Sequence, residues 1–433
     1  SAETIPNGGR ANVGRYGNTA QASRTPTNGA LTLISFNDGG RASGAAVPIL
    51  WNARGDITNG TVSIYYSADG GSNWTTLATG IVASAGAWSW DSTLSAQSVQ
   101  GQLKIVGSDG SSATSQGYFS VRNAPFHFYV NDSSTNNDVY CTAVGQGANS
   151  GLSGSAPMAD LNALLAKYDL EGGDVVYIDT GVYKGGDRWQ ITQADSAGSL
   201  ETDPVVFQGS TYSFANGTVL DRSFNPVGIQ VDYAVGIRLR NIVVSNTVGS
   251  AVMFNDCYGA EAEWVAAGAA NIGFRLYGGS QLRVAHCAAY DANFGVSVEY
   301  WNLATNTVFP VLEHNVFWDM ATNAVKVTGN NRATVKHNVL SVQSGQYVYA
   351  LGETDTLVAD YNSIWLGAGG RVFRRDQYAD VSPVPLIYDS VGKWAAVSSN
   401  DLHSYDGDPL LVNAAGRDFH LQRRTGRLFG TNW

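Results

Sequence analysis

A five-residue strand pattern recurs seven times between residues 228 and 375, and it constrains the fold more than any other feature of the chain. The copies begin at residues 228, 251, 273, 295, 324, 347 and 371, so the steps are 23, 22, 22, 29, 23 and 24 residues. Such a period indicates a solenoid. No copy has helical spacing, and two dozen residues per turn suit a three-sided coil of parallel strands stacked about 4.8 Å apart.

Two further columns of aligned residues lie between these copies. The first column superposes Asn241, Trp264, His286, His314, His337 and Asp360. The second column, one residue later, superposes Ile242, Val265, Cys287, Asn315, Asn338 and Tyr361. Three histidines raise the possibility of a metal site. We favour stacked His and Asn side chains that satisfy the backbone groups of turns, with Asn315 and Asn338 as a short asparagine ladder.

The segment before the repeat contains the best helix pattern of the chain. Its apolar residues Met158, Leu161, Leu164, Leu165 and Tyr168 share one helical face, which predicts a helix over about 157–169. The surrounding residues 124–186 resemble the entry cap of right-handed parallel β-helix proteins, such as secreted pectate-lyase-like enzymes. The resemblance implies that the helix covers the first coil, which would otherwise expose an unpaired strand edge.

Residues 31–122 contain about seven short alternating strands separated by turns, the pattern of an Ig-like β-sandwich. The predicted fold is therefore all-β. It has an extended docking segment over 1–27, an Ig-like β-sandwich over 28–123, and a right-handed parallel β-helix with an N-terminal capping α-helix over 124–433.

The two ends of the chain predict a mode of assembly. The stretch "DPLLVN…DFHLQ" near the C-terminus resembles the final coil of secreted bacterial β-helix modules in tandem-repeat giant surface proteins. In those modules a segment like "PNGGRANVGRYGNTAQAS" follows the final coil, whereas here it begins the chain. The resemblance implies head-to-tail docking on another copy. The residues expected to take part are Asn7, Arg10, Val13, Arg15 and Tyr16 on the segment, and Asp418, Phe419 and Leu421 on the last coil.

Candidate catalytic and sugar-binding residues come from the outward positions of the repeat. In the family that the chain resembles, reacting groups stand on the outside of neighbouring coils. Arg275, Glu299 and Lys326 are the catalytic candidates, and the alternative is an exposed ion-pair patch. Carbohydrate-binding candidates are Tyr300, Trp301 and Tyr349. The signature motifs of polygalacturonases and mannuronan epimerases do not occur in the sequence, which weakens an enzymatic reading.

Charge and composition exclude other classes of function. The chain carries a net charge of −10 and no basic run, which argues against nucleic-acid binding. No apolar stretch is long enough to span a membrane. Calcium is the one cofactor that we consider, at the oxygen-rich turns that contain Asp132, Asp138, Asp406 and Asp408. The chain begins at Ser, so we expect a processed chain or a fragment.

These observations favour an extracellular or cell-surface structural or adhesive protein. Its units would assemble with other copies into a filament or surface array. One alternative is a polysaccharide lyase or another polysaccharide-active β-helix enzyme. The other is a carbohydrate-binding module without catalysis.

Overall fold

A computed structural model describes residues 19–20, 29–196, 203–211, 217–299, 308–329, 331–375 and 386–422. The fold is all-β, as the sequence predicts, with long parallel sheets and only two α-helices among the described residues. The chain divides into two compact units, Ser1–Pro125 and Phe126–Trp433. Neither described α-helix is long and apolar enough to cross a membrane.

The first unit contains two sheets of short strands. Its strands are β1 (Ala30–Leu33), β2 (Arg41–Ala42), β3 (Val47–Arg54), β4 (Thr61–Ser67), β5 (Thr75–Val82), β6 (Ala87–Trp90), β7 (Ser98–Gly107), β8 (Ser112–Thr114) and β9 (Phe119–Val121). One sheet has the order β1-β3-β6, and the other has the order β2-β9-β7-β4-β5 with β8 beside β7. Alternate residues of both sheets face one core, in which Trp51 and Trp90 are the largest buried side chains.

The second unit contains the remaining strands and both α-helices. Its first half comprises β10 (His127–Val130), α1 (Leu161–Leu165), β11 (Val175–Ile178), β12 (Gly181–Lys184), β13 (Trp189–Ile191), β14 (Val205–Gly209), β15 (Thr218–Asp232), β16 (Ile237–Arg240), β17 (Ile242–Asn255), β18 (Glu261–Glu263), β19 (Ala266–Tyr277), β20 (Arg283–Ala285) and β21 (Ala288–Glu299). Its second half comprises β22 (Val311–Glu313), β23 (Val316–Met320), β24 (Asn323–Thr328), β25 (Arg332–Lys336), β26 (Val339–Val342), β27 (Tyr347–Leu351), β28 (Thr356–Asp360), β29 (Ser363–Leu366), β30 (Arg371–Arg375), β31 (Leu386–Tyr388), α2 (Val391–Ser398), β32 (Tyr405–Asp406), β33 (Leu411–Asn413) and β34 (Asp418–Leu421).

All of these strands except β31, β33 and β34 stack in parallel, and they form three flanks of a β-helix. Flank A has the order β10-β11-β14-β16-β18-β20-β22-β25-β28, and flank B has the order β12-β15-β17-β19-β21-β23-β26-β29-β32. Flank C consists of β13, the second halves of β15, β17, β19 and β21, and then β24, β27 and β30. The long strands cross the corner between flanks B and C, where their registers shift. Buried phenylalanines such as Phe254, Phe274 and Phe317 fill the interior.

One residue per coil turns the chain from flank A to flank B in the left-handed conformation. Trp264, His286, His314, His337 and Tyr361 have φ angles between 53° and 59°. Their rings stack face to face, with centroid distances of 4.7 to 5.2 Å, and His403 extends the stack beyond Tyr361. This spacing follows from the strand separation of about 4.8 Å. We call these six rings the ring column.

The predicted asparagine ladder is present and is longer than expected. The side-chain oxygens of Asn315, Asn338 and Asn362 accept the backbone N–H groups of Cys287, Asn315 and Asn338 in turn, at 2.9 to 3.0 Å. The sequence alignment was wrong by one residue in its last row. Tyr361 lies in the ring column and not beside Asn338, because Lys336 pairs with Asp360.

The N-terminal cap is shorter than the predicted helix over 157–169. Only Leu161–Leu165 is helical, and the Asp160 side chain caps it by accepting the N–H of Ala163 at 2.8 Å. Met158 cannot be helical because it forms a parallel bridge with Val130. Leu164 is buried.

The last coils carry a cover that the sequence did not predict. Helix α2 places Trp394 parallel to Phe373 of β30, with ring centroids 4.0 Å apart. The Trp394 Nε1–H donates to the buried carboxylate of Asp401 at 3.1 Å. Strand β31 pairs antiparallel with β30, so the parallel stacking of flank C ends there.

Candidate functional site

The outward residues of flank C form one straight column along the β-helix. Strand pairing places the following residues in successive rungs: Gln190, Gln230, Met253, Arg275, Ser297, Lys326, Ala350 and Arg374. The seven intervals span about 34 Å, because neighbouring strands lie about 4.8 Å apart. Side chains far apart in sequence therefore share one narrow surface.

The structure brings Arg275 and Glu299 together, as the sequence predicts. Arg275 Nη2 lies 2.6 Å from Glu299 Oε2, and the Ser297 hydroxyl donates to Glu299 Oε1 at 2.7 Å. Lys326 follows Ser297 on the next coil, and its ammonium lies 5.3 Å from the centroid of the Phe294 ring. The arrangement is an ion pair with a neighbouring cation.

Glu299 is held in its ionised form. Burial alone would raise the pKa of Glu299, but hydrogen bonds from Ser297 and Arg275 and the charges of Arg275 and Lys326 outweigh burial and lower the pKa. A general acid needs a pKa near or above the working pH. Glu299 therefore suits charge pairing better than proton donation.

Two further arginines lie on this surface and were missed by the sequence reasoning. The guanidinium of Arg371 lies 5.5 Å from the Tyr347 ring centroid, and that of Arg374 lies 5.7 Å from it. Arg371 Nη1 also donates to the Tyr347 hydroxyl at 2.7 Å. Both arginines are partly exposed. We call Arg275, Lys326, Arg371 and Arg374 the basic face.

The basic face differs in charge balance from flank A. On flank A, Arg238 and Arg283 pair with Glu261, and Arg240 pairs with Glu263. On flank C from β19 onwards, the described outward positions hold four cations and one carboxylate, Glu299. The face is thus cationic on a chain whose net charge is −10.

Of the three carbohydrate-binding candidates, the structure describes only Tyr349. Tyr349 is fully buried, so its predicted outward position is wrong. It pairs with Val325 and Phe373, and its hydroxyl lies 3.4 Å from Asp401 Oδ1. A one-residue error in alignment moves a side chain to the opposite face of a strand. Tyr300 and Trp301 lie outside the described residues.

The calcium candidates do not converge on one site. Asp132 accepts the N–H groups of Ser134 and Val182, and Asp138 accepts the Asn131 side-chain amide at 2.7 Å. Asp406 is exposed in β32, and Asp408 accepts the N–H of Leu410. In the part of the chain that the structure describes, no three His, Cys, Asp or Glu side chains are grouped to hold a metal ion. This applies equally to the histidines of the ring column.

The expected position of the C-terminal docking residues is wrong. Asp418, Phe419 and Leu421 belong to β34, which pairs antiparallel with β33 and not with the last coil. Phe419 packs on Tyr290 of flank B at a centroid distance of 6.0 Å. The N-terminal docking residues Asn7, Arg10, Val13, Arg15 and Tyr16 lie outside the described residues, so head-to-tail assembly stays a prediction.

Asp179 is a buried group that the sequence did not indicate. Its carboxylate accepts the N–H groups of four residues at 2.6 to 2.8 Å: Val139, Tyr140, Cys141 and Thr180. Those bonds fix the loop that precedes the cap. Asp179 is thus structural.

Neither the protein-family models nor the curated proteins nor the solved structures contain a match to this chain.

Proposed function

We propose that the basic face binds an acidic polysaccharide, and that the protein is a non-catalytic structural or adhesive module that works outside the cell. The observation that carries the proposal is the pairing of every cation of the face with an aromatic ring. Arg275 lies over Tyr277, Lys326 over Phe294, and Arg371 and Arg374 over Tyr347.

The arrangement of these groups favours a linear polyanion with sugar rings. From Arg275 to Arg374 the face crosses four strand intervals, or about 19 Å. Cations at several points along this line complement a chain with repeated negative charges. Aromatic edges and faces beside them offer apolar surface for the CH groups of sugars. The resemblance to secreted pectate-lyase-like β-helices with an Ig-like sandwich supports the same class of ligand.

The chemistry of the face favours binding over cleavage. A lyase needs a base that can remove a proton next to a uronate carboxylate. Arg275 is engaged by Glu299 at 2.6 Å, and Glu299 is ionised. Lys326 is the one remaining candidate base of the predicted trio. The lyase hypothesis is therefore tested together with binding.

The test measures the affinity of the protein for polygalacturonate and for a neutral polysaccharide of similar length. The face variant is Arg371→Glu/Arg374→Glu. The matched control is Arg54→Glu/Lys184→Glu, which makes the same charge change at two exposed cations elsewhere. We expect the face variant to lose affinity about tenfold or more while the control does not. Added salt should weaken wild-type binding, because it screens exposed charges.

Three results would overturn the proposal. Equal affinities of the face variant and the control would show that the face does not bind the polymer. Equal competition by duplex DNA would show unspecific attraction to polyanions. An unsaturated uronate product that disappears in Lys326→Ala would replace binding by lyase activity.

A further inference from the structure

A polar cavity of about 450 Å³ lies at the N-terminal end of flank C. Its lining includes Asn162 of α1, Arg188 and Gln190 at β13, and Arg222 and Asn225 of β15. Asp187 is the carboxylate among its lining residues. The cavity is thus built mainly from cations and amides.

Arg222 is the buried cation of this cavity. The residue is 3% exposed, and its guanidinium donates only to backbone carbonyl oxygens among the described residues. Nε donates to Val227 O at 2.9 Å, and Nη1 donates to the carbonyls of Gly185, Gly186 and Asp187. An arginine has five N–H donors. The two N–H groups of Nη2 have no acceptor within the described part of the chain.

The positive charge of Arg222 is poorly compensated. Burial lowers the pKa of the Arg222 guanidinium, although the Asp187 carboxylate acts in the opposite direction. No ion pair among the described residues includes Arg222 or Arg188. A buried charge that no carboxylate of the described residues contacts within ion-pair distance is costly, so an anionic ligand would be stabilised here.

Arg188 is held in position beside Arg222. Its Nε donates to Gln190 Oε1 at 2.5 Å, and its backbone carbonyl accepts the Asn162 side-chain amide at 2.9 Å. The Asn162 side-chain oxygen accepts the N–H of Gln190 at 3.0 Å. Helix α1 therefore fixes the edge of β13, and the exposed Arg188 head group projects from a rigid base.

Gln190 connects this cavity to the outward column of flank C. It lines the cavity and is also the first residue of the outward column of flank C. Its side-chain amide donates to Asp232 on the next coil. A polymer lying along the column would therefore reach the cavity at the N-terminal end.

We propose that this cavity, the arginine pocket, binds the anionic group of one sugar residue at the end of the polysaccharide chain. The inference rests on the proposed function of the basic face. The group is a carboxylate or a sulfate, because both accept paired N–H donors from the planar guanidinium. The amides of Asn162, Asn225 and Gln190 provide donors and acceptors for hydroxyl groups beside it.

The test uses single sugars, which are too small to span the basic face. Titration of the full chain with galacturonate, with a sulfated galactose and with galactose should show binding of an anionic sugar only. The tighter of the two anions identifies the group that the pocket prefers. Arg188→Glu should weaken this binding about tenfold or more. Lys184→Glu makes the same charge change at an exposed residue that does not line the pocket, and it should have no effect.

A second variant separates charge from geometry. Arg222→Lys keeps the positive charge but removes the planar guanidinium with its paired N–H donors, so anion binding should fall. Circular dichroism should show that the fold of this variant is intact. Unchanged anion affinity in both Arg188→Glu and Arg222→Lys would overturn the pocket, as would equal binding of galactose.

The two proposals fail in different ways. Arg188→Glu should weaken the binding of single anionic sugars much more than Arg371→Glu/Arg374→Glu does, and the reverse should hold for the polymer, since the two sites lie at opposite ends of the column. If polymer binding depends on Arg371 and Arg374 but single sugars do not bind, the pocket is wrong and the basic face stands.

Discussion

The backbone N–H of Asn315 donates to the side-chain oxygen of Asn338, one coil further along the chain, at 2.9 Å. The same oxygen accepts the Asn315 side-chain amide at 3.0 Å, and the Asn338 amide donates to the carbonyls of Leu312 and Lys336. Asn338 is 1% exposed. One side chain thus satisfies the polar groups of a buried turn that water cannot reach.

Replacing Asn338 by Ala should therefore destabilise the β-helix. The change leaves the N–H of Asn315 without its acceptor and removes one donor from the carbonyls of Leu312 and Lys336, which should lower the free energy of unfolding by about 2–3 kcal/mol. Urea unfolding measures this. Asn293→Ala is the control, because that side chain is exposed and bonds only Asn271 among the described residues. Similar losses in both variants would contradict the role of the ladder.

Stability should decrease as the pH falls, because of the ring column. Partial desolvation within the stack of rings, reinforced by the charge of the neighbouring histidine, lowers the pKa of His314 and of His337 below the usual 6.5. The folded state then binds protons more weakly than the unfolded state. The contribution to stability is present above pH 6.5 and is lost as the pH falls through the lowered folded-state pKa values.

Thermal unfolding at about pH 7.5 and about pH 5 tests this sign. His314→Asn/His337→Asn should reduce the difference between the two pH values, and Asn tolerates the left-handed conformation of these positions. His127→Asn, at an exposed residue on β10, should keep the difference. A double variant with the wild-type pH dependence would exclude the ring column as its source.

Trp394→Ala should uncover the last coils. The Trp394 ring packs on Phe373 and its N–H bonds the buried Asp401, so its loss should cost about 3–5 kcal/mol. Exposed strand edges also promote association. Thermal unfolding followed by light scattering should show a lower midpoint and earlier aggregation. Val397→Ala, on the exposed side of α2, should behave as the wild type.

Gly268→Val should release the C-terminal hairpin β33–β34. A side chain at residue 268 would overlap the Tyr290 ring, which packs on Phe419 and lies 4.6 Å from the Arg417 guanidinium. Trypsin should then cleave at Arg417 faster than in the wild type. Gly147→Val is the control, since an added Cβ there meets nothing within 4 Å. Equal cleavage rates would show that Tyr290 does not hold the hairpin.

Local patterns in the sequence were sufficient to predict the coils of the β-helix. The strand period and the stacked His and Asn residues follow from side-chain alternation and from turn chemistry, and both are present. The error near residue 347 has a physical cause. In "YVYAL", tyrosine fits either face of a strand, so alternation does not fix the register.

The contacts of α2, of β34 and of the basic face join residues that are far apart in sequence. Local sequence patterns therefore could not predict them. The residues of α2 form only two turns, and just Val391 and Trp394 of the helix are buried. The side chains of β34 alternate in polarity as in any strand. This pattern predicts a strand but does not indicate which strand it pairs with. To predict that Arg371 and Arg374 share a face with Arg275, one needs the register of every strand pair between them. The basic face was therefore out of reach for the sequence alone.

Because flank C stacks in register, the number of coils between two of its outward residues determines how far apart their side chains lie. Inserting one complete coil between Arg275 and Lys326 would leave every side chain on its own flank and would move the two charges apart by about 4.8 Å. The number of coils between two outward residues thus sets the distance between them, in steps of one strand separation. Whole-coil duplication or deletion would let evolution adjust the spacing of charges to the repeat of a polymer without redesigning a single surface.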